Sequence, residues 1–316
     1  MHVFAGPEGR AILAEGRALV IGDVMTDVIC RPEGPLVRGS DRRASILSRP
    51  GGSGANQAVW LGAMGASVAF VARVGAADKP KLGAYFRGCG VEPLLSGDAM
   101  LPSGMLVTIL DPDGERSFLS DRGANVALSP ADLPDALLAG TRLVMVSGYA
   151  FFVEAPRAAV MGFCLRAREK NVAIAVDPAS VGFLHDVGPD NFLRWTTGAD
   201  RIFANESEAE ALTGSAMLDV QMRRLGEFYA RVVIKCGAAG AVLGDRTGIK
   251  LSLPAPRVEV IDTTGAGDAF AAGFVAAELL GAGAEECLRR GIEAGSEAVK
   301  VLGGQPNSGN TSWERA

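Results

Sequence analysis

The sequence predicts an α/β protein with a mostly parallel central sheet, helices on both of its faces, and a small separate β-sheet. Three observations carry this. From Arg142 onward, apolar runs of strand length alternate with helical stretches across short loops, the pattern of repeated β-α-β units. Earlier, Met105–Leu110 and Arg116–Ser120 flank Asp111-Pro112-Asp113-Gly114, a turn sequence that marks an antiparallel hairpin out of step with the alternation. The chain has 316 residues, 48% hydrophobic and 21% charged, which suits one large α/β domain. We read residues 1–316 as that single domain.

Residues 1–17 are a weakly patterned extension. The first strand is Ala18–Gly22, an apolar run closed by Asp23. A helix is expected over Gly54–Met64, a strand over Ser67–Val71, a helix over Lys81–Cys89 and a strand over Val91–Leu95. Val24–Arg31 and Ala44–Ser48 are candidate partners of the hairpin, so a lid sheet is expected within 24–49 and 104–121. Then come strand Leu143–Ser147, helix Ala155–Glu169, strand Val172–Val176, a helix near Asn191–Thr197, strand Arg201–Ala204 and a helix opening at Glu206. Strand Val232–Lys235 precedes an antiparallel pair, Ala241–Leu243 and Gly248–Leu251. Helices over Ala266–Leu280 and Ala284–Val301 close the chain. Ligands of such sheets bind beyond the carboxyl ends of the strands.

Composition narrows the function. A net charge of −5 gives no support for a nucleic-acid or membrane-surface partner. Five widely spaced cysteines read as reduced thiols. With only His2 and His185 present, neither a zinc site nor a Ser-His-Asp triad is expected. The longest uncharged apolar stretch lies between Arg142 and Glu154, below the ~20 residues of a membrane span. The N-terminus lacks a basic-then-apolar leader pattern, and we expect a cytoplasmic protein.

The chemistry points to Asp262-Thr263-Thr264-Gly265-Ala266-Gly267-Asp268. The helix after it, Ala269–Ala277, is apolar almost all round and should be buried. Its first N–H groups need partners, and glycine and alanine supply no side-chain cap. The backbone of Gly265, Ala266 and Gly267 is open to close approach, and aligned N–H groups favour an anion there. Asp268 either caps the helix or takes a proton from an attacking hydroxyl beside that anion hole.

A second motif, Gly51-Gly52-Ser53-Gly54-Ala55-Asn56-Gln57-Ala58, continues with Gly65 and Gly75. It could belong to a dinucleotide loop, but that loop normally occupies the first β-α turn, which here is Gly22-Asp23-Val24-Met25-Thr26-Asp27. Taken together in this order, the two motifs resemble the ribokinase/PfkB family of carbohydrate kinases, from Ala18 to about Asn307. The resemblance implies a ribokinase-like three-layer α/β/α fold with a small β-sheet lid. It implies ATP-dependent phosphorylation of a sugar-like hydroxyl, with Asp268 as general base and the N–H groups of Gly265–Asp268 as the anion hole. Asp23, Asp27, Gly51, Gly52 and Asn56 would hold the substrate, a sugar or a nucleoside.

By the same resemblance, Asn205 and Glu208 would act on Mg2+ and phosphate through water, and Gly237 and Gly240 would approach the nucleotide. Lys235 would either reach nucleotide phosphate or remain a surface charge. Asp262, Thr264, Ala298, Val301, Gly303 and Asn307 are candidate ligands of a monovalent cation such as K+. Relatives often dimerise through lid sheets. The chain departs from ribokinases at Ser53, where they have lysine, at Gly148-Tyr149, near their sugar-binding glutamate, and at Asn307, where they have serine. No arginine sits inside the substrate motifs, though Arg42, Arg43 and Arg122 keep a phosphorylated substrate open. A nucleoside kinase and a non-catalytic sugar- or nucleotide-binding regulator are the rival readings.

Overall fold

The computed structural model describes residues 16–110 and 116–306. In chain order the first half contains β1 (Arg17–Ile21), β2 (Met25–Pro32), β3 (Ala44–Gly51), α1 (Ser53–Ala63), β4 (Val68–Gly75), α2 (Lys79–Gly88), β5 (Glu92–Asp98), β6 (Gly104–Leu110) and β7 (Arg116–Asp121). The second half contains β8 (Thr141–Ser147), α3 (Glu154–Glu169), β9 (Ala173–Asp177), α4 (Val181–Val187), α5 (Pro189–Trp195), β10 (Arg201–Asn205), α6 (Glu206–Thr213) and α7 (Leu218–Leu225). It closes with β11 (Arg231–Lys235), β12 (Ala241–Asp245), β13 (Gly248–Leu253), α8 (Ala266–Leu279) and α9 (Ala284–Ala298).

Nine strands form one sheet in the order β13-β12-β11-β10-β9-β8-β1-β4-β5. The strands from β11 to β5 run parallel, and β12 and β13 add an antiparallel edge. The period of two along β1 divides its side chains between two cores. Ala18 and Val20 pack with α1, α2, α8 and α9, while Leu19 and Ile21 pack with α3 to α7. This is a three-layer α/β/α fold. Helix α8 is buried from Ala269 to Ala277, as its all-round apolar pattern requires. It lies so close to α9 that a Cβ on Gly273 would come within 2.6 Å of the Arg290 carbonyl oxygen.

The four remaining strands form a second sheet in the order β3-β2-β6-β7. Strand β2 pairs antiparallel with β3 and parallel with β6, and β6 pairs antiparallel with β7. Asp27 shares a cross-strand row with Arg49 and Leu106. The opposite face carries Val28, Cys30, Ile46, Met105, Val107 and Leu119. The turn Asp111–Gly114 lies outside the described residues.

Several expected boundaries shift. Strands β4 and β5 run on to Gly75 and Asp98, and α9 ends at Ala298 rather than Val301. The helix expected near Asn191–Thr197 is α5, opened by Pro189, and an unforeseen helix, α4, precedes it across Gly188 (φ 85). Helix α7 was not foreseen; its buried face is only Gln221, Met222 and Leu225. All five cysteines are free thiols. No helix among the described residues is long and apolar enough to cross a membrane.

Candidate active site

The carboxyl ends of the parallel strands and the starts of α1 and α8 converge on one edge of the large sheet. Strand β1 delivers Asp23, which is 3% exposed. Its Oδ1 accepts the Gly54 N–H (3.1 Å) and the Ser147 hydroxyl (3.3 Å), and its Oδ2 accepts from Arg122 Nη1 (3.1 Å). The Arg122 guanidinium lies 4.4 Å above the Tyr149 ring. Asn125 clamps the chain just beyond Asp23, accepting from the Val24 N–H (3.0 Å) and donating to the Val24 carbonyl (2.9 Å). Arg122 and Tyr149 therefore lie beside Asp23.

Asp27 enters from β2 of the small sheet. Its carboxyl packs against Gly51, where a Cβ would lie 2.0 Å from Oδ2. Burial, then the charges of Asp23 and Asp262, push it up to about 7. Its Oδ1 is buried without a partner among the described residues. Gly52 precedes α1 with φ 96, and a Cβ there would meet the Asp23 carbonyl oxygen at 2.8 Å. The glycine pair is thus required by space and by backbone conformation.

Asp268 sits in the first turn of α8 but does not cap it; Gly265 does so with φ 72 and no side-chain bond. The Asp268 carboxylate instead faces α1. Oδ1 accepts from Ser53 Oγ (2.7 Å) and Gln57 Nε2 (3.2 Å), and Oδ2 from Asn56 Nδ2 (2.9 Å). Burial and the Asp177 charge push Asp268 up to about 7, against the pull of Ser53, Asn56 and Lys235. Of the expected anion-hole groups, the Ala266 N–H is spent on the Thr263 carbonyl (3.3 Å). The N–H groups of Gly265, Gly267 and Asp268 have no acceptor among the described residues.

Lys235, at the end of β11, is not a surface charge. Its Nζ donates to Asp177 Oδ2 at 2.9 Å, and both side chains are nearly out of solvent. A Cβ on Gly267 would lie 3.0 Å from that Nζ, so the ammonium borders the first turn of α8. Burial opposes its charge, but Asp177, Glu208 and Asp268 together hold its pKa above the ordinary lysine value. Asn205 and Glu208 form a reciprocal cap on α6: Asn205 Oδ1 accepts the Glu208 N–H (2.8 Å) and Glu208 Oε2 accepts the Asn205 N–H (2.9 Å). Burial raises Glu208 to about 7, with Lys235 pulling down and Asp177 pushing up.

The two glycines expected to approach a nucleotide differ. Space around Gly237 is open, whereas a Cβ on Gly240 would strike the Leu253 carbonyl oxygen at 2.0 Å. Gly240 is there for the fit of β12 against β13.

The expected cation ligands are only partly brought together. Asp262 accepts the Thr264 N–H and the Gly303 N–H, each at 2.9 Å. The Ala298 carbonyl accepts the Val301 N–H (3.3 Å) at the end of α9. Asn307 lies outside the described residues. The segment 302–305 is tied down from three sides: Arg49 Nη1 donates to the Leu302 carbonyl (2.6 Å), Trp60 Nε1 to the Gly304 carbonyl (3.0 Å), and the Tyr85 hydroxyl meets Gln305. Gly304 fits between Gly265 and Asn56, where a Cβ on it would lie 2.4 Å from Asn56 Nδ2.

Asp177, Ser147, Asn125 and Gln57 were not singled out as site residues from the sequence. An acid ending a parallel strand just before proline, as Asp177 does, was the one available signal.

The profile described as pfkB family carbohydrate kinase matches residues 16–310. The chain is 31% identical over 272 residues to the aminoimidazole riboside kinase of Salmonella typhimurium, covering 83% of this chain and 81% of that one. It is 30% identical over 281 residues to the ATP-dependent ribose-1-phosphate kinase of Halopiger xanaduensis, covering 86% and 88%. Among solved structures, a probable sugar kinase from Rhizobium etli superposes with a TM-score of 0.82 at 22% identity, covering 93% and 96%. The Arabidopsis thaliana ribokinase complexed with ribose and ATP superposes with a TM-score of 0.78 at 25% identity, covering 93% and 97%.

Proposed function

The chain belongs to the pfkB family of carbohydrate kinases and phosphorylates a sugar-like substrate with ATP, and we propose that Asp268 is the base of that reaction. One observation carries the proposal: Asn56 and Asp268, 212 residues apart, meet at 2.9 Å, so the glycine-rich and Gly-Ala-Gly-Asp motifs form one site. Asp23, Asp27, Gly51, Gly52 and Asn56 line the substrate side. The substrate hydroxyl gives its proton to Asp268 as its oxygen bonds to the γ-phosphorus, and the bond from that phosphorus to ADP breaks. The N–H groups of Gly265, Gly267 and Asp268, with the Lys235 ammonium, stabilise the charge on the transferring group. The small sheet acts as a lid that keeps water from the phosphoryl group.

Asn205 and Glu208 would hold Mg2+ through water; when bound with ATP it neutralises phosphate charge. Their mutual cap leaves Glu208 Oε1 outside the bonded pair, and the Lys235 and Asp177 charges lie within its influence. Asp262, Thr264 and Gly303, with the carbonyls of Ala298 and Val301, offer oxygen donors of the kind a monovalent cation such as K+ takes. Gly237 has room to approach the nucleotide.

A nucleoside is the second reading of the substrate. It is favoured by the aromatic group beside Asp23, where Tyr149 meets Phe152 at 5.9 Å and Phe183 at 5.7 Å between ring centres. The aminoimidazole riboside kinase, at 31% identity, is a relative whose named substrate carries a heterocycle. ADP release across a panel of sugars and nucleosides tests both readings. No ADP release with any of them, or full turnover by Asp268→Asn, would overturn the assignment of Asp268.

The outer face of the lid exposes Ile46 and Leu119 at 65% and 62%, which supports a homodimer paired through that face. Five free cysteines fit a reducing compartment, the cytoplasm.

A further inference from the structure

Helix α1 presents Ser53, Asn56 and Gln57 on one face, at the i, i+3, i+4 spacing of neighbouring turns. All three side chains donate to the Asp268 carboxylate, but they divide unequally. Each carboxylate oxygen offers about two acceptor sites. Oδ1 takes two donors, Ser53 Oγ at 2.7 Å and Gln57 Nε2 at 3.2 Å. Among the described residues Oδ2 takes only Asn56 Nδ2, at 2.9 Å. Gln57 Nε2 also reaches Ser53 Oγ at 3.3 Å. The serine oxygen thereby accepts from the amide, and its own proton is turned onto Oδ1. Gln57 is fully buried.

We propose that Ser53 and Gln57 are positioning residues that saturate Oδ1 of Asp268 and leave the open lone pair of Oδ2 as the atom that receives the substrate proton. This rests on Asp268 being the base. The step balances simply: the hydroxyl proton passes to Oδ2, the freed oxygen lone pair forms the bond to phosphorus, and ADP departs with the electrons of the broken P–O bond.

The arrangement also sets the charge state of the base. Asp268 faces the three α1 donors, Asp177 from β9, Lys235 from β11 and the Tyr149 ring after β8. Burial and Asp177 favour the protonated form, while Ser53, Asn56 and Lys235 favour the ionised one. Loss of one charge-assisted donor shifts that balance toward the proton.

The test needs no knowledge of the substrate. The protein is labelled with 13C at aspartate side-chain carboxyls, and the Asp268 signal is identified as the one missing from Asp268→Asn. Its titration is followed by NMR in wild type, Ser53→Ala, Ser53→Thr and Gln57→Leu. The expected result is a midpoint raised by about one pH unit in Ser53→Ala, a similar rise in Gln57→Leu, and return toward wild type in Ser53→Thr. Ser53 is only partly buried, so its alanine variant keeps the test alive if Gln57→Leu folds poorly. A Ser53→Ala midpoint equal to wild type would overturn the proposal. ADP release by Asp268→Asn on the sugar and nucleoside panel is read separately. Turnover there would sink the base assignment itself, whatever the titrations give.

Discussion

Lys235 Nζ stands 2.9 Å from Asp177 Oδ2 beside Gly267 at the start of α8, and the pair is almost wholly withdrawn from solvent. Each partner compensates the other's buried charge, and removing one leaves the other exposed to the full cost of desolvation. Lys235→Met is therefore expected to lower kcat by about 10²-fold, the scale of losing one transition-state donor. It should also lower stability by about 3–5 kcal/mol by stranding Asp177. Adding Asp177→Asn to Lys235→Met should restore much of the stability and none of the rate. Urea unfolding and steady-state ADP release on the two variants separate these effects. Recovery of rate in the double variant would show that the lysine serves only to neutralise Asp177.

Asp268 couples activity to stability with a definite sign. Its folded pKa, about 7, lies above the carboxylate value of 3.8. The folded state thus binds the proton more tightly than the unfolded state. The stability linked to this group is complete below about pH 4 and is lost as pH rises through about 7. Asp268→Asn is accordingly expected to cost on the order of 10²–10⁴-fold in turnover. At pH 8 it should melt several degrees higher than wild type, with the gain shrinking toward pH 4. Calorimetric scans at pH 4, 6 and 8 check this; a Tm difference constant across that range would contradict it.

Much of the site was legible because each half was written locally. Gly265 to Asp268 precede a helix too apolar to be anywhere but the core, and Asp23 ends the first strand. What the sequence hid depends on side chains meeting across the fold. Arg122 reaches Asp23 over 99 residues, and Ser53 reaches Asp268 over 215. Gln57 reads as an ordinary residue inside α1. Gly237 and Gly240 look equivalent as text, yet the first is open and the second is filled by Leu253. Helices α4 and α7 have 7 and 8 residues, about two turns each, too short for a 3.6-residue period to declare itself.

The outer face of the small sheet provides a test of assembly. Ile46 and Leu119 lie on the same face of the small sheet, opposite the face that carries Asp27. Two lysines there, Ile46→Lys with Leu119→Lys, place charges in any surface paired through that face. Sedimentation should show the wild type as a dimer and the double variant as a folded monomer. A wild type that sediments as a monomer at all accessible concentrations removes this interface.

Arg122 gives the most direct test of the proposed substrate side. It is the cation paired with Asp23, and its planar face covers Tyr149. Arg122→Leu strands a buried carboxylate, an imbalance of about 3–5 kcal/mol, and opens the ring to water. The effect should fall on the sugar side, as a loss of about 10²-fold in kcat/KM for the sugar, since 1.4 kcal/mol is tenfold and part of the cost is recovered by relaxation. KM for ATP should change less than about twofold, because the arginine touches Asp23 and Tyr149 rather than the Lys235 side of the site. Arg122→Lys should recover only part of the loss: an ammonium keeps the charge but has no flat face to lay on Tyr149. Kinetics varying the sugar and ATP in turn decide the matter. Full recovery by lysine would reduce Arg122 to a simple counter-charge, and a rise confined to KM for ATP would move it out of the substrate pocket altogether.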